Sequence, residues 1–326
     1  MLLRTTAEIK KYFSSIDTDY NFKSIQSFIL DAETDLVIPE ISQELYDSLR
    51  TKYTNNELAG KTLQLFEYLQ KAIVHLALYN MSDSGSFRIS DSGFYVSITG
   101  DTRPVSDKKM VVFRNGRYEA GYKALDQALA YLEKNINEPD FLPYKNSDIK
   151  ESAAHYFITN SKDFTKWFSP LANSSTTYRA ALSSIGMAES NYILPLLGEE
   201  FFEDLKTKTQ EGTLTADEKT LVTKIQKPLA SLSIAEAIPI LNFNYDGKTL
   251  SVNYRAANND NIEASMSMSD ERLSMLMNQC LINGELEVKR LKKWLNNNAG
   301  KFTLYTADTA SDDTDLNSAD SHIYFV

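Results

Sequence analysis

The sequence predicts a mainly α-helical protein made of two tandem copies of one helical bundle, each copy with an inserted β-hairpin. Three observations carry that expectation: a self-match at a nearly constant offset, apolar residues at helical spacing in both matched halves, and one alternating apolar stretch per half beside turn residues.

The self-match sets the frame. LRTTAEIKKYFSSI, from Leu3, lies over ITNSKDFTKWFSPL, from Ile158, at an offset of 155 residues, which pairs Ile9 with Phe164, Tyr12 with Trp167 and Phe13 with Phe168. At an offset of 156, DAETDLVIPEISQELYDSL from Asp31 lies over MAESNYILPLLGEEFFEDL from Met187. Ala32 then meets Ala188, Glu33 meets Glu189, Pro39 meets Pro195, Glu44 meets Glu200 and Leu49 meets Leu205. The same offset continues through Leu65/Leu221, Gln70/Gln226 and Leu76/Leu232, and extends to Val96/Val252 and Leu125/Leu281. One register held across most of both halves is a duplication.

The elements follow in order. Phe22, Ile25, Ile29, Ala32 and Leu36 fall at helical spacing, as do Tyr178, Ala181, Ile185, Ala188 and Tyr192. Pro39 and Pro195 stop or redirect those helices. Ser42 and Gly198 then stand as N-caps of a helix with Leu45 and Leu49, or Phe201 and Leu205, on its apolar face. A longer helix carries Leu58, Leu65, Leu69, Ile73 and Leu76; its second copy opens on Thr215-Ala-Asp-Glu218, a capping box, and contains Pro228, which is expected to kink it. Leu241/Phe243/Tyr245 and Leu250/Val252/Tyr254 alternate around Asp246-Gly247, a tight-turn signal, and Phe87–Ile89 and Phe94–Ile98 flank Asp91-Ser-Gly93. A last helix is marked by Tyr118, Tyr122, Leu125, Leu129 and Leu132, and in the second copy by Leu273, Leu276, Cys280, Leu291 and Leu295.

These elements divide the chain into a first unit over residues 1–140, a second over 151–300 and an acidic, flexible tail over 301–326. The join lies near residues 137–150, where Pro139 and Pro143 interrupt the helical pattern, and the polar stretch Asn258 to Ser269 reads as a mobile loop.

Composition narrows the function classes. A hydrophobic fraction of 42% and a charged fraction of 24% are those of a globular chain. The net charge of −10, without a dense Lys/Arg cluster, disfavours nucleic-acid binding. No stretch approaches the roughly 18 apolar residues of a membrane span, and Arg4, Glu8, Lys10 and Lys11 break up the opening segment, so a cytoplasm-like compartment is expected. The single cysteine, Cys280, excludes an intrachain disulfide.

The catalytic inventory is thin. His75, His155 and His322 share no metal-binding spacing, and His75 sits in an apolar helix where a packed or rim histidine is expected; its counterpart is Ser231. Ser106-Asp-Lys-Lys109 matches SxxK by chance in a charged loop, and no phosphate loop, dinucleotide fingerprint or nucleophile elbow is present. Cys280 reads as a buried, inert thiol. Glu33/Glu189 and Glu44/Glu200 recur, and two carboxylates suffice for glycoside hydrolysis. An acid repeated at one helical position instead indicates a helix-start carboxylate or a salt bridge between helices. A sugar cleft also needs clustered aromatic rings, whereas Trp167 and Trp294 lie in different parts of the second unit. No catalytic, cofactor-binding or metal-ligating residue is therefore assigned. Tyr20, Tyr53, Tyr79, Tyr95, Tyr144 and Tyr156 near loops fit either contact surfaces or rim packing.

Thr6-Ala-Glu8-Ile9-Lys10, the turn at Ile16-Asp17, the late-helix Ala32 and the helix Lys71-Ala-Ile-Val-His-Leu-Ala-Leu-Tyr79 carry a family resemblance. In these positions the chain resembles the head–tail connector (head-completion) proteins of tailed phages and prophages, and as a whole it looks like two-copy proteins encoded in phage structural clusters. The resemblance spans the helical parts of both halves; the second copy departs from it with Leu171-Ala172 in place of Ile-Asp. It implies a non-enzymatic structural adaptor without cofactor, in a homo-oligomeric ring between portal and tail proteins, made in the bacterial cytoplasm and carried in the virion. The alternatives are a protein-interaction scaffold of a mobile element outside the virion and, more remotely, a carboxylate-dependent hydrolase.

Overall fold

The computed structural model describes residues 1–16, 19–84, 87–90, 93–96, 107–241, 243–245, 250–252 and 270–307. The first unit opens with α1 (Thr6–Tyr12), started by a capping box in which the Thr5 hydroxyl accepts from the Glu8 N–H and the Glu8 carboxylate accepts from the Thr5 N–H. Helix α2 (Lys23–Asp31) runs directly into a π-helical turn, Ala32–Val37, and then into the one-turn α3 (Ile38–Ile41). Pro39 explains the wide turn. Its nitrogen has no hydrogen to donate and its ring would meet the carbonyl four residues back; opening the ladder to an i→i−5 bond, Ile38 N–H to Glu33 O, relieves both.

Helices α4 (Gln43–Thr54) and α5 (Gly60–Ser84) follow, then strands β1 (Phe87–Ser90) and β2 (Gly93–Val96), which pair antiparallel with Phe87 opposite Val96, then α6 (Asp107–Lys134). A 3-10 turn (Pro139–Phe141) and the short α7 (Leu142–Lys145) and α8 (Asp148–Ala154) lead into the second unit.

The second unit repeats this order. It consists of α9 (Ser161–Trp167), a 3-10 turn (Ser169–Leu171), α10 (Ser175–Ala180), α11 (Leu182–Ala188), a π-helical turn (Glu189–Ile193) and α12 (Leu194–Leu197). Then come α13 (Glu199–Glu211), α14 (Ala216–Ala237), β3 (Phe243–Tyr245), β4 (Leu250–Val252) and α15 (Asp270–Asn297). Helix α14 opens on the predicted Thr215/Glu218 capping box and runs on past Pro228. Pro195 again follows a π turn, closed by the Leu194 N–H to Glu189 O bond. The predicted hairpin turns, Asp91-Ser92 and Asp246-Gly247, lie outside the described residues, as do Ser106 and Asn258–Ser269; what is placed is one short antiparallel pairing per unit.

Each unit has its own core. One buried cluster draws its residues from Leu2 to Tyr144, the other from Ala153 to Tyr305. Their reach corrects two expected boundaries. Phe141 and Tyr144 are fully buried in the first core, so the Pro139/Pro143 stretch is packed structure rather than bare linker. Phe302 and Tyr305 lie in the second core, with ring centroids 5.6 and 6.2 Å from that of Phe201, so the acidic tail cannot begin at residue 301.

The closing helices correct the repeat register as well. A Cβ on Gly121 would stand 2.7 Å from the Leu76 side chain, and one on Gly284 would stand 2.5 Å from Leu232, so glycine lets α6 approach α5 and α15 approach α14 closely. Leu76 and Leu232 are 156 residues apart, but the two glycines are 163 apart. Asn135 and Asn298, also 163 apart, each donate a side-chain hydrogen bond to the carbonyl four residues back, Tyr131 at 2.9 Å and Trp294 at 2.8 Å. Leu125 therefore corresponds to Val288, not Leu281. The second copy carries seven extra residues between its strand pair and its closing helix, in a largely polar stretch.

Candidate functional site

Of the repeated carboxylates, Glu33 and Glu189 turn to backbone and not to each other. Glu33, with 0% of its surface exposed, sits in the first π turn and accepts the Leu2 N–H at 2.6 Å and the Tyr46 hydroxyl at 2.8 Å. The Gln70 side chain on α5 donates to the Leu2 carbonyl at 2.8 Å. The second unit reproduces the clamp: Glu189 accepts the Phe157 N–H at 2.7 Å, and Gln226 donates to the Phe157 carbonyl at 2.9 Å. Each unit thus ties both polar groups of one residue in its opening segment to a buried Glu/Gln pair. These are partners a buried peptide group requires. Phe202 replaces Tyr46, and the missing hydroxyl is made up by Lys206, which donates to Glu189 and to the His155 carbonyl. Burial raises both carboxyls above their ordinary values, opposed at Glu33 by the Leu2 and Tyr46 hydrogen bonds and at Glu189 by the Lys206 charge.

A second polar network joins the units. The Arg179 guanidinium on α10 reaches back to α3, donating to the Glu40 carboxylate at 2.6 Å and to its carbonyl at 2.5 Å, and to the Tyr144 hydroxyl at 2.7 Å. Tyr144 passes its own hydrogen to Glu133 at 2.8 Å, and Lys150 closes on the same carboxylate at 2.7 Å. Beside it the Thr176 N–H donates to Asp126 on α6 at 3.0 Å. Arg179 had no signal in the sequence beyond its charge. The recurring Gln70/Gln226, polar residues inside an apolar helix, were a signal available but unread.

The other candidates are placed singly. His75 is buried, its Nδ1 3.2 Å from an Arg117 guanidinium nitrogen; burial first, then the Arg117 and Lys71 charges, lower it to about 4. His155 is exposed beside Gln210, and His322 lies outside the described residues. Cys280 is buried, which pushes its thiol up to about 11. Glu44 and Glu200 are exposed in the first turns of α4 and α13, where the helix dipole favours a carboxylate. Among the described residues no group of three or more His, Cys, Asp or Glu side chains is placed to hold a metal ion.

One expectation is overturned. Trp167 and Trp294 do not lie apart: the end of α9 and the last turns of α15 both pack on α14, and the two rings line a single cleft of about 560 Å³. Lys224 stands 5.0 Å from the Trp294 ring centre, and Lys227 and Arg290 share the Glu287 carboxylate at 3.0 and 2.5 Å. The corresponding positions of the first unit hold Tyr12 and Tyr131 for the tryptophans, Tyr68 for Lys224, Gln127 for Arg290 and Ala124 for Glu287. There Tyr68 and Tyr131 meet edge to face, 5.7 Å apart. The cationic, tryptophan-lined cleft belongs to the second copy alone.

Two matched cores, a repeated backbone clamp and a shared polar joint define a tandem-duplicated, mainly helical protein in which, among the described residues, no helix is long and apolar enough to cross a membrane. The chain belongs to the family of unknown function DUF6712, whose pattern matches it twice, over residues 37–153 and 193–315. The two matches begin 156 residues apart, in the register that pairs Glu33 with Glu189. No curated protein and no solved structure matches the chain.

Proposed function

We propose that the chain is a structural adaptor of a tailed phage or prophage, forming or joining an oligomeric ring between portal and tail. The observation that carries this reading is the inward use of the repeated polar residues. Glu33, Gln70, Glu189 and Gln226 all hold main-chain groups, so what the duplication preserves is architecture rather than a reacting centre. The Arg179 network supports it further by locking the two units into one body, as a part that bears load between partners requires. A net charge of −10 suits a passage through which DNA slides without sticking. In this reading the partners are portal and tail proteins, and the chain moves from bacterial cytoplasm to virion.

The test is reconstitution with the cognate portal ring, which this reading requires the same phage or prophage genome to encode. At micromolar concentrations the chain is expected to co-migrate with the portal in size-exclusion chromatography and to add density at its tail-facing end in negative-stain images. Failure to form any complex under those conditions counts against the adaptor, and a monomer measured without the portal does not.

A further inference from the structure

The geometry points to the tryptophan cleft of the second unit as the seat of the chain's own segment 308–326. Charge is the first argument. Lys224, Lys227 and Arg290 line the cleft with a single carboxylate, Glu287, which pairs with Lys227 and Arg290 while Lys224 lies over the Trp294 ring, leaving a basic hollow on a chain of net charge −10. Segment 308–326 contains no Lys or Arg and carries Asp308, Asp312, Asp313, Asp315 and Asp320, so it is the complement in sign. Shape is the second. The cleft has the volume of a site for a few side chains, not for a folded partner. The acidic run 312–315 supplies carboxylates for the three cations, and Ile323-Tyr-Phe-Val326 supplies apolar cover for the two indoles.

Reach is the third. Lys301 pairs with Asp217 at 2.8 Å, one turn before Thr220 on the cleft wall, and Phe302 packs against Trp294 with ring centroids 6.0 Å apart. Six extended residues beyond Ala307 can span up to roughly 20 Å, so the segment leaves the second core with Asp312 and Asp313 on a tether of that length. The first unit is an internal control. At the same place it has Tyr68 and Tyr131 in mutual contact, and its chain continues into α7 and α8, not into an acidic segment. Basic cleft and acidic segment occur in the same copy.

The chain's only two tryptophans both line this cleft, so intrinsic emission reads it selectively. The experiment compares acrylamide quenching of the full chain, a chain ending at Ala307, and the full-length Asp312→Asn/Asp313→Asn/Asp315→Asn variant. Removal of the segment is expected to red-shift emission and raise quenching about two-fold, with about 0.5 M NaCl moving the full chain part of the way by screening. The triple-Asn variant should follow the shortened chain, and a synthetic 308–326 peptide should restore protection to the shortened chain. Lys224→Glu/Arg290→Glu in the full chain should abolish the difference. Should the shortened chain fail to fold by far-UV circular dichroism, the triple-Asn variant makes the same measurement. Equal quenching with and without the acidic residues overturns the proposal, as does protection that disappears on dilution, which would assign the occupant to a second copy.

Discussion

Replacing Glu189 by alanine tests the backbone clamp most directly. The substitution leaves the buried Phe157 N–H without its acceptor, a loss of about 1–3 kcal/mol. It also strips Lys206, whose side chain is 14% exposed, of its carboxylate; breaking a buried pair costs about 3–5 kcal/mol. Lys206 keeps the His155 carbonyl and lies about 5 Å from the Tyr156, Phe157 and Phe202 ring centres, so the second figure is an upper limit. The two losses overlap and together come to about 3–4 kcal/mol. Glu189→Gln keeps an oxygen for the Phe157 N–H and loses only the charge, for about 1–2 kcal/mol. Urea unfolding followed by tryptophan emission is the assay, because Trp167 and Trp294 both report on the second unit. Glu189→Ala with an unfolding free energy within about 0.5 kcal/mol of the parent would refute the clamp as a source of stability.

Three further outcomes are expected. His75 is lowered from 6.5 to about 4, so it is neutral when folded and protonated when unfolded between those values. Its stabilising contribution is present above pH 6.5 and lost as pH falls toward 4, by at most about 3 kcal/mol. The stability gap between parent and His75→Gln should shrink or reverse across that window, and a constant gap contradicts it. Arg179→Met leaves Glu40 and Tyr144 without their shared donor; circular dichroism and tryptophan transitions should separate as the first unit uncouples from the second, at a cost of up to about 3–5 kcal/mol. Gly198→Ala forces a side chain onto φ 80°, ψ 152° and should cost about 1–3 kcal/mol in thermal or urea melts, whereas the counterpart Ser42 already tolerates φ 74° with help from its own hydrogen bond to the Leu45 N–H.

The main helices were legible because burying one face imposes a period that Phe22-Ile25-Ile29 and Leu65-Leu69-Ile73 display directly. The duplication was legible for a related reason: equivalent core positions keep apolar identity, and Pro39 and Pro195 fall in register. The π turns were not, since an i→i−5 bond differs from i→i−4 by a single residue and leaves the apolar pattern nearly unchanged. The shift from 156 to 163 falls in a largely polar stretch whose few apolar residues do not match between the copies. Glu33 and Glu189 were recognised as structural, but as helix-start or interhelical acids; the Lys206 pair fits the second idea, while their main partners, the Leu2 and Phe157 N–H groups, lie about thirty residues away and leave no local trace. Trp167 and Trp294 line one cleft because both pack on α14, a relation sequence distance conceals.

The joint between the units is built once and not prepared for again. At the positions equivalent to Arg179, Glu40 and Asp126, the free flanks of the pair present Lys23, Leu196 and Lys289. Stacking a second molecule on the first in the manner of the internal joint would set Lys23 against Leu196, where the internal joint sets Arg179 against Glu40. The equivalent side chains at the outer faces therefore do not repeat the Arg179–Glu40 pairing that joins the two units.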